Sequence, residues 1–188
     1  MRVIAGDNGG RRLVTPPGRT TRPTSDRVRE AIFSMLESAM LDGALTGRAA
    51  TLEGATVWDL FAGSGAMGIE ALSRGAAHAT FVEQARSAVL AVRANLAALG
   101  YGPGRATVVA ADVLNWVGPA QGKVDLVMAD PPYAWQGWDV LLARSEHLRP
   151  LVLAETGAEL VLPPGWEPLR AKRYGGTVVT LARFSEDT

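Results

Sequence analysis

The stretch VWDLFAGSGAMGIE, residues 57–70, holds Gly63, Gly65 and Gly68 in a G-x-G-x-x-G pattern, and Glu83 follows the first glycine by twenty positions. Loops with this spacing seat a dinucleotide pyrophosphate on a helix N-terminus, with the acidic residue on a ribose. Asp59, just ahead of the loop, suits a pyrophosphate poorly because its charge opposes the phosphates. Two more acids end apolar runs downstream: Asp112 after VVAA and Asp130 after LVMA. With Asp59 after TVW and Glu83 after TFV, four successive strand-like runs finish at a carboxylate. In a doubly wound sheet the carboxyl ends of the strands are the binding edge.

An acid-lined loop suits a cationic nucleoside better than a dinucleotide. S-adenosylmethionine has no phosphate and carries a sulfonium, an α-ammonium, a ribose diol and an adenine amine. On this reading Asp59 serves the ammonium end, Glu83 accepts from both ribose hydroxyls, and Asp112 accepts from the adenine amine. Gly63 and Gly65 let the backbone approach the ligand where a Cβ would clash. Asp112, directly before VLNW, also has the type and place of a helix N-cap.

DPPY, Asp130–Tyr133, closes the fourth apolar run. The exocyclic amine of a nucleobase is a poor nucleophile, because its lone pair is delocalised into the ring. A carboxylate and a backbone carbonyl, each accepting one amine hydrogen, hold that nitrogen in line with a methyl donor and favour its pyramidal form. Pro131 and Pro132 fix φ and stiffen the loop that presents the carbonyl. Tyr133 offers a π-face on which a base stacks. Such catalysis is positioning and electrostatics, with no covalent intermediate.

Composition narrows the class. The 188 residues include no cysteine, which excludes disulfides, thiolate metal sites and cysteine nucleophiles. His78 and His147 are the only histidines and neither has a candidate ligand nearby, so no metal is expected. No apolar run approaches membrane-spanning length and the Met1 end lacks a signal-type run, so a cytoplasmic protein is expected. Formal net charge is zero, yet residues 1–30 carry seven arginines against Asp7, Asp26 and Glu30, an excess of +4 that the rest must balance. A basic arm on an acidic body is the asymmetry of a chain whose one end meets nucleic acid. A solvated, arginine-rich terminus is the plainer alternative.

The elements that must position these residues follow from hydrophobic period. RVIAG (2–6) and RRLVT (11–15) flank DNGG, a hairpin turn signal. PPGRTTRPTSD reads as an extended linker. Val28, Ile32, Met35, Leu36 and Ala39 recur at helical spacing from about Ser25 to Met40. From residue 55, four near-continuous apolar runs alternate with helical stretches, as in a parallel sheet covered on both faces. After a helix near 138–147, either LVLAET or AELVL supplies the fifth strand, and PLRAKRY–GG–TVVTLARF closes as an antiparallel hairpin. The expected fold is therefore α/β, with residues 1–23 as a basic hairpin and linker and residues 24–188 as the main domain.

D-x-F-x-G-S-G followed by DPPY resembles the class I, S-adenosylmethionine-dependent amino-methyltransferases. RVIAGDNGGRRL with RPTSDRVREAIFSML is similar to the RsmD family, bacterial 16S rRNA guanine-N2 methyltransferases. The resemblance runs from Arg2 to about Tyr133 and returns in KRYGGTVVTL. It implies a Rossmann-like, mostly parallel seven-stranded sheet; a monomer is expected. It implies a cofactor site at Asp59, Gly63, Ser64, Gly65, Glu83 and Asp112, flanked by Phe61, Gln84 and Val113. The target-amine site would be Asp130, Pro131, Pro132 and Tyr133. Ribosomal RNA of an assembling 30S subunit would lie on Arg2, Arg11, Arg12, Arg22 and Arg27, with Lys172 and Arg173 as a second basic cluster.

DPPY does not itself name the base, so an adenine-N6 or cytosine-N4 methyltransferase is the nearest alternative and an NAD-binding oxidoreductase a distant one. Trp58 reads as core. Trp135 and Trp138 either wall the base pocket or only pack.

Overall fold

The apolar runs become the strands of one sheet. The computed structural model describes residues 1–17, 25–42, 51–118 and 122–185. In chain order the strands are β1 (Thr56–Leu60), β2 (His78–Glu83), β3 (Ala106–Ala110), β4 (Leu126–Ala129), β5 (Leu151–Thr156), β6 (Trp166–Tyr174) and β7 (Thr177–Phe184). Their spatial order is β3-β2-β1-β4-β5-β7-β6. The first five pair in parallel, and β7 enters antiparallel between β5 and β6. Of the two candidates for the fifth strand, LVLAET takes the place. AELVL forms no strand, since β4 and β7 already occupy both edges of β5.

Strand alternation feeds two cores. Val57, Phe81, Met128 and Leu153 face one side, against α1 (Asp26–Leu41), α2 (Ala66–Ser73) and α3 (Arg86–Ala98). Trp58, Leu60, Val82, Val127 and Val152 face the other, with α4 (Val113–Trp116) and α5 (Trp138–Ser145). Burial on both faces is why these strands read as continuous apolar runs rather than alternating ones. Trp58 is core, as expected, with its ring edge-on to Trp116 at 4.8 Å. No helix among the described residues is long and apolar enough to cross a membrane.

α1 begins where Ser25 caps it, its hydroxyl accepting from the Val28 N–H at 3.3 Å. The N-terminal runs form a hairpin that is less regular than expected, with a single antiparallel bridge between Arg2 and Arg12. Bonds from Val3 to Arg11, Gly10 to Val3 and Leu13 to Met1 join its arms, while other backbone groups turn to α2. Ile4 and Ala5 N–H donate to Glu70 at 2.7 and 3.0 Å, and Asp7 N–H donates to the Ser73 carbonyl at 2.9 Å. Glu70, fully buried on α2, also accepts from Arg74 Nε at 2.8 Å and lies 3.8 Å from Arg29 Nε. Burial lowers the Arg74 pKa, but the hydrogen bonds and charges of Glu37 and Glu70 outweigh it and leave the pKa raised. Most of the expected linker, residues 18–24, lies outside the described residues.

Candidate active site

In an open α/β sheet the crevice opens where the strand order reverses, here between β1 and β4. The glycine loop leaves β1 at that point and enters α2. Gly63 (φ +59°) and Gly65 (φ +78°) are left-handed, which an L side chain rarely tolerates. A Cβ on Gly65 would meet Phe81 and Val92 at 3.3 Å, so packing as well as conformation demands glycine there. Gly68 is tighter still: a Cβ would sit 2.4 Å from the Phe81 ring, and its absence lets α2 lie against β2. Phe61 itself has φ +62°, an uncommon conformation for a non-glycine and one that gathers at ligand sites.

Side chains beneath the loop hold it. Asp59, buried inside β1, accepts the Gly68 N–H at 2.8 Å. Glu83, the last residue of β2, accepts from Gly63 N–H at 2.9 Å and Ala85 N–H at 2.8 Å. A carboxylate offers about four lone-pair sites, so Glu83 can accept further hydrogen bonds. Asp112 caps α4, accepting from Asn115 N–H at 3.1 Å, so its helix-cap reading holds and its second oxygen remains for other partners. Ser64 and Val113 are buried, Phe61 is half-buried and Gln84 is exposed beside Glu83.

DPPY follows β4 directly, beside the glycine loop. The Pro132 carbonyl closes a turn by accepting from Trp135 N–H at 2.8 Å, which stiffens the DPPY loop. Tyr133 is 63% exposed, so a base can reach its ring. The ring's other face lies on Gly157, where a Cβ would be 3.3 Å from Cγ. Trp135 stands edge-on to Phe61 at 4.9 Å and to Trp138 at 5.3 Å, an aromatic row from the cofactor loop to the start of α5.

A further carboxylate was not singled out from sequence. Glu155 is 2% exposed at the carboxyl end of β5. Ala129, the last residue of β4, pairs with Ala154, so Asp130 leaves β4 next to the strand end that carries Glu155. Alternation puts Asp59, Glu83, Asp130 and Glu155 on one face of the sheet, that of Phe81, Met128 and Leu153. Asp59, Asp130 and Glu155 each have a contact within the protein. No group of three or more His, Cys, Asp or Glu among the described residues is arranged to hold a metal.

The expected nucleic-acid residues divide. Arg12, Arg27 and Arg173 are exposed. Arg2 is exposed and pairs with Asp26 at 3.6 Å, Arg11 donates to the Ala98 carbonyl at 2.8 Å, and Lys172 lies over the Tyr174 ring. Arg22 lies outside the described residues. Arg29, counted in the arm's charge, is buried and donates to the Arg2 carbonyl.

This strand order, with a glycine loop and acids at the carboxyl edge, defines the class: the protein has the class I methyltransferase fold and is a methyltransferase. Residues 1–183 match the family described as conserved hypothetical protein 95, and the chain belongs to it, the RsmD family. Ribosomal RNA small subunit methyltransferase D of Haemophilus influenzae is 32% identical over 189 residues, covering 93% of this chain and 89% of that one. The protein of the same name from Escherichia coli K12 is 38% identical over 133 residues, covering 71% of this chain and 60% of that one. Among solved structures, the yhhF protein of Escherichia coli superposes with TM-score 0.80 at 32% identity, covering 98% of both chains.

Proposed function

We propose that this protein transfers a methyl group from S-adenosylmethionine to the exocyclic N2 amine of a guanine in 16S rRNA of an assembling small subunit. It works in the cytoplasm as a monomer. The observation that carries the reading is the row of carboxylates on one face of the sheet's carboxyl edge, with DPPY beside it. Asp59, Glu83 and Asp112 suit the ammonium, ribose hydroxyls and adenine amine of the cofactor, and a pyrophosphate would meet like charge there. Bound at that loop, the cofactor supplies an electrophilic methyl group.

The chain's own residues do the positioning. Asp130 and the Pro131 carbonyl accept the two amine hydrogens, while Tyr133 stacks the base, which must be unpaired or flipped to enter. The amine proton leaves to Asp130 or water once the nitrogen is methylated. A second carboxylate, Glu155 near the carboxyl end of the neighbouring strand β5, favours guanine over the other bases. Beside its N2 amine guanine has an N1–H donor, whereas adenine and cytosine present a ring acceptor beside their amines. The Glu155 carboxylate accepts that N1–H and repels the acceptors. The relatives named small subunit methyltransferase D support the same substrate class.

The test is labelled methyl transfer to 16S rRNA, small subunits, tRNA and duplex DNA in parallel, with nucleoside analysis of the product. N2-methylguanosine in 16S rRNA is expected; methyladenine, methylcytosine or label only in DNA would refute the assignment. Calorimetry should show S-adenosylhomocysteine binding and no NAD binding, the reverse being the oxidoreductase outcome.

A further inference from the structure

Asp59 and Glu83 hold the glycine loop through the N–H groups of Gly68 and Gly63. A third side chain holds it from the other direction. Asn95, on α3 and 2% exposed, donates from Nδ2 to the Ser64 carbonyl at 2.8 Å. The same Nδ2 donates to the Val14 carbonyl at 2.9 Å, and Oδ1 accepts from the Val14 N–H at 2.8 Å. One buried amide thus grips both backbone groups of a residue in the N-terminal segment and one carbonyl of the cofactor loop. Val14 lies two residues beyond Arg12 and three beyond Arg11, whose guanidinium donates to Ala98 at the end of the same helix. Ser64 stands between two left-handed glycines, where the backbone has little preference of its own and takes its shape from what holds it.

We propose that Asn95 is a positioning residue through which the arginine-bearing N-terminal segment sets the shape of the cofactor loop. RNA seated on the segment and cofactor seated in the loop then tighten one another, by the reciprocity of linked binding. Asn95 touches neither ligand. The inference rests on the assignment above of the loop to cofactor and the segment to RNA.

The experiment titrates S-adenosylhomocysteine calorimetrically into the full chain, alone and with transcribed 16S rRNA. Wild type is expected to bind, and to bind about five- to 150-fold more tightly with the RNA. Asn95→Ala is expected to weaken binding without RNA about tenfold and to erase the RNA increment. Asn95→Asp keeps acceptance from Val14 N–H but loses both donations, and is expected to behave as Asn95→Ala. Leu36→Ala, a cavity made on α1 in the same core, lowers thermal stability and should retain both the affinity and the increment. Equal affinity and increment in wild type and Asn95→Ala would overturn the proposal, as would matching losses in Leu36→Ala or no increment in wild type. A wild type that binds no S-adenosylhomocysteine at all would instead sink the cofactor assignment itself.

Discussion

The phenolic oxygen of Tyr133 lies 2.8 Å from Thr177 Oγ1, joining the DPPY turn to the first residue of β7. With Gly157 under the ring, this bond fixes the plane on which a base would stack. Thr177→Val removes the bond and keeps the shape. A hydrogen bond of this kind contributes about 1 kcal/mol net, so KM for RNA should rise about fivefold with cofactor affinity unchanged. Tyr133→Ala removes the platform and should cost about 1–3 kcal/mol of RNA binding. Steady-state kinetics with S-adenosylhomocysteine calorimetry separates the two effects. Unchanged KM in both variants would mean the base does not stack there.

Gly68 is the third glycine of the loop motif, and its task is packing. Gly68→Ala drives a methyl into the Phe81 ring and presses on the Asp59 side chain, whose Cβ would be 3.0 Å away. Overpacking at such a site costs about 1–3 kcal/mol. A lower thermal midpoint is expected, together with weaker S-adenosylhomocysteine binding, because the Asp59 carboxylate is held by the Gly68 N–H. Phe81→Leu in the same chain should recover part of the stability.

Glu70 ties the N-terminal hairpin to the main sheet. It accepts from Ile4, Ala5 and Arg74 while fully buried, and Arg29 stands behind it. Removing one partner from a buried charge network strands the others, which costs about 3–5 kcal/mol. Glu70→Ala should therefore lower the unfolding midpoint in denaturant. Limited proteolysis should also cut between residues 1 and 17 before the core is attacked. If cutting begins elsewhere, the hairpin is anchored by contacts other than Glu70.

What was legible in the sequence was whatever is contiguous. VWDLFAG, HATFVE and KVDLVMAD announced strands because burial on both faces leaves no polar alternation to disguise them. The glycine loop and DPPY were readable because their residues act within a few positions of one another. Glu70, Asn95 and Glu155 were not, since each sits singly in an apolar helix or strand and gains its meaning from partners 65, 31 or 81 positions away, or across the sheet. The N-terminal runs looked like a regular hairpin because composition records β preference but not that Glu70 and Asn95 would bond the backbone of Ile4, Ala5 and Val14. Arg29 counted as arm charge for the same reason: a formal sum does not distinguish a solvated guanidinium from one turned into the core.

Asp130 and Glu155 carry different halves of the proposed guanine recognition, and substitutions can separate them. On the proposed reading Asp130 accepts from the reacting amine, so Asp130→Ala should reduce methyl transfer by roughly a hundredfold or more, the scale of losing a transition-state hydrogen-bond partner, with cofactor affinity nearly unchanged. In the same proposal Glu155 meets the neighbouring ring nitrogen, so its loss should change which base is accepted. The informative substrates are small subunits carrying either guanine or 2,6-diaminopurine at the position that wild type methylates. Both have the N2 amine, but diaminopurine has an acceptor where guanine has N1–H. Wild type should prefer guanine strongly, because a site built to accept a hydrogen leaves its buried polar group unpaired against the analogue. Glu155→Gln can turn an amide N–H toward that acceptor and should narrow or reverse the preference. A variant slowed equally on both substrates would assign Glu155 to the fold alone, and one with wild-type rates on both would remove it from the site.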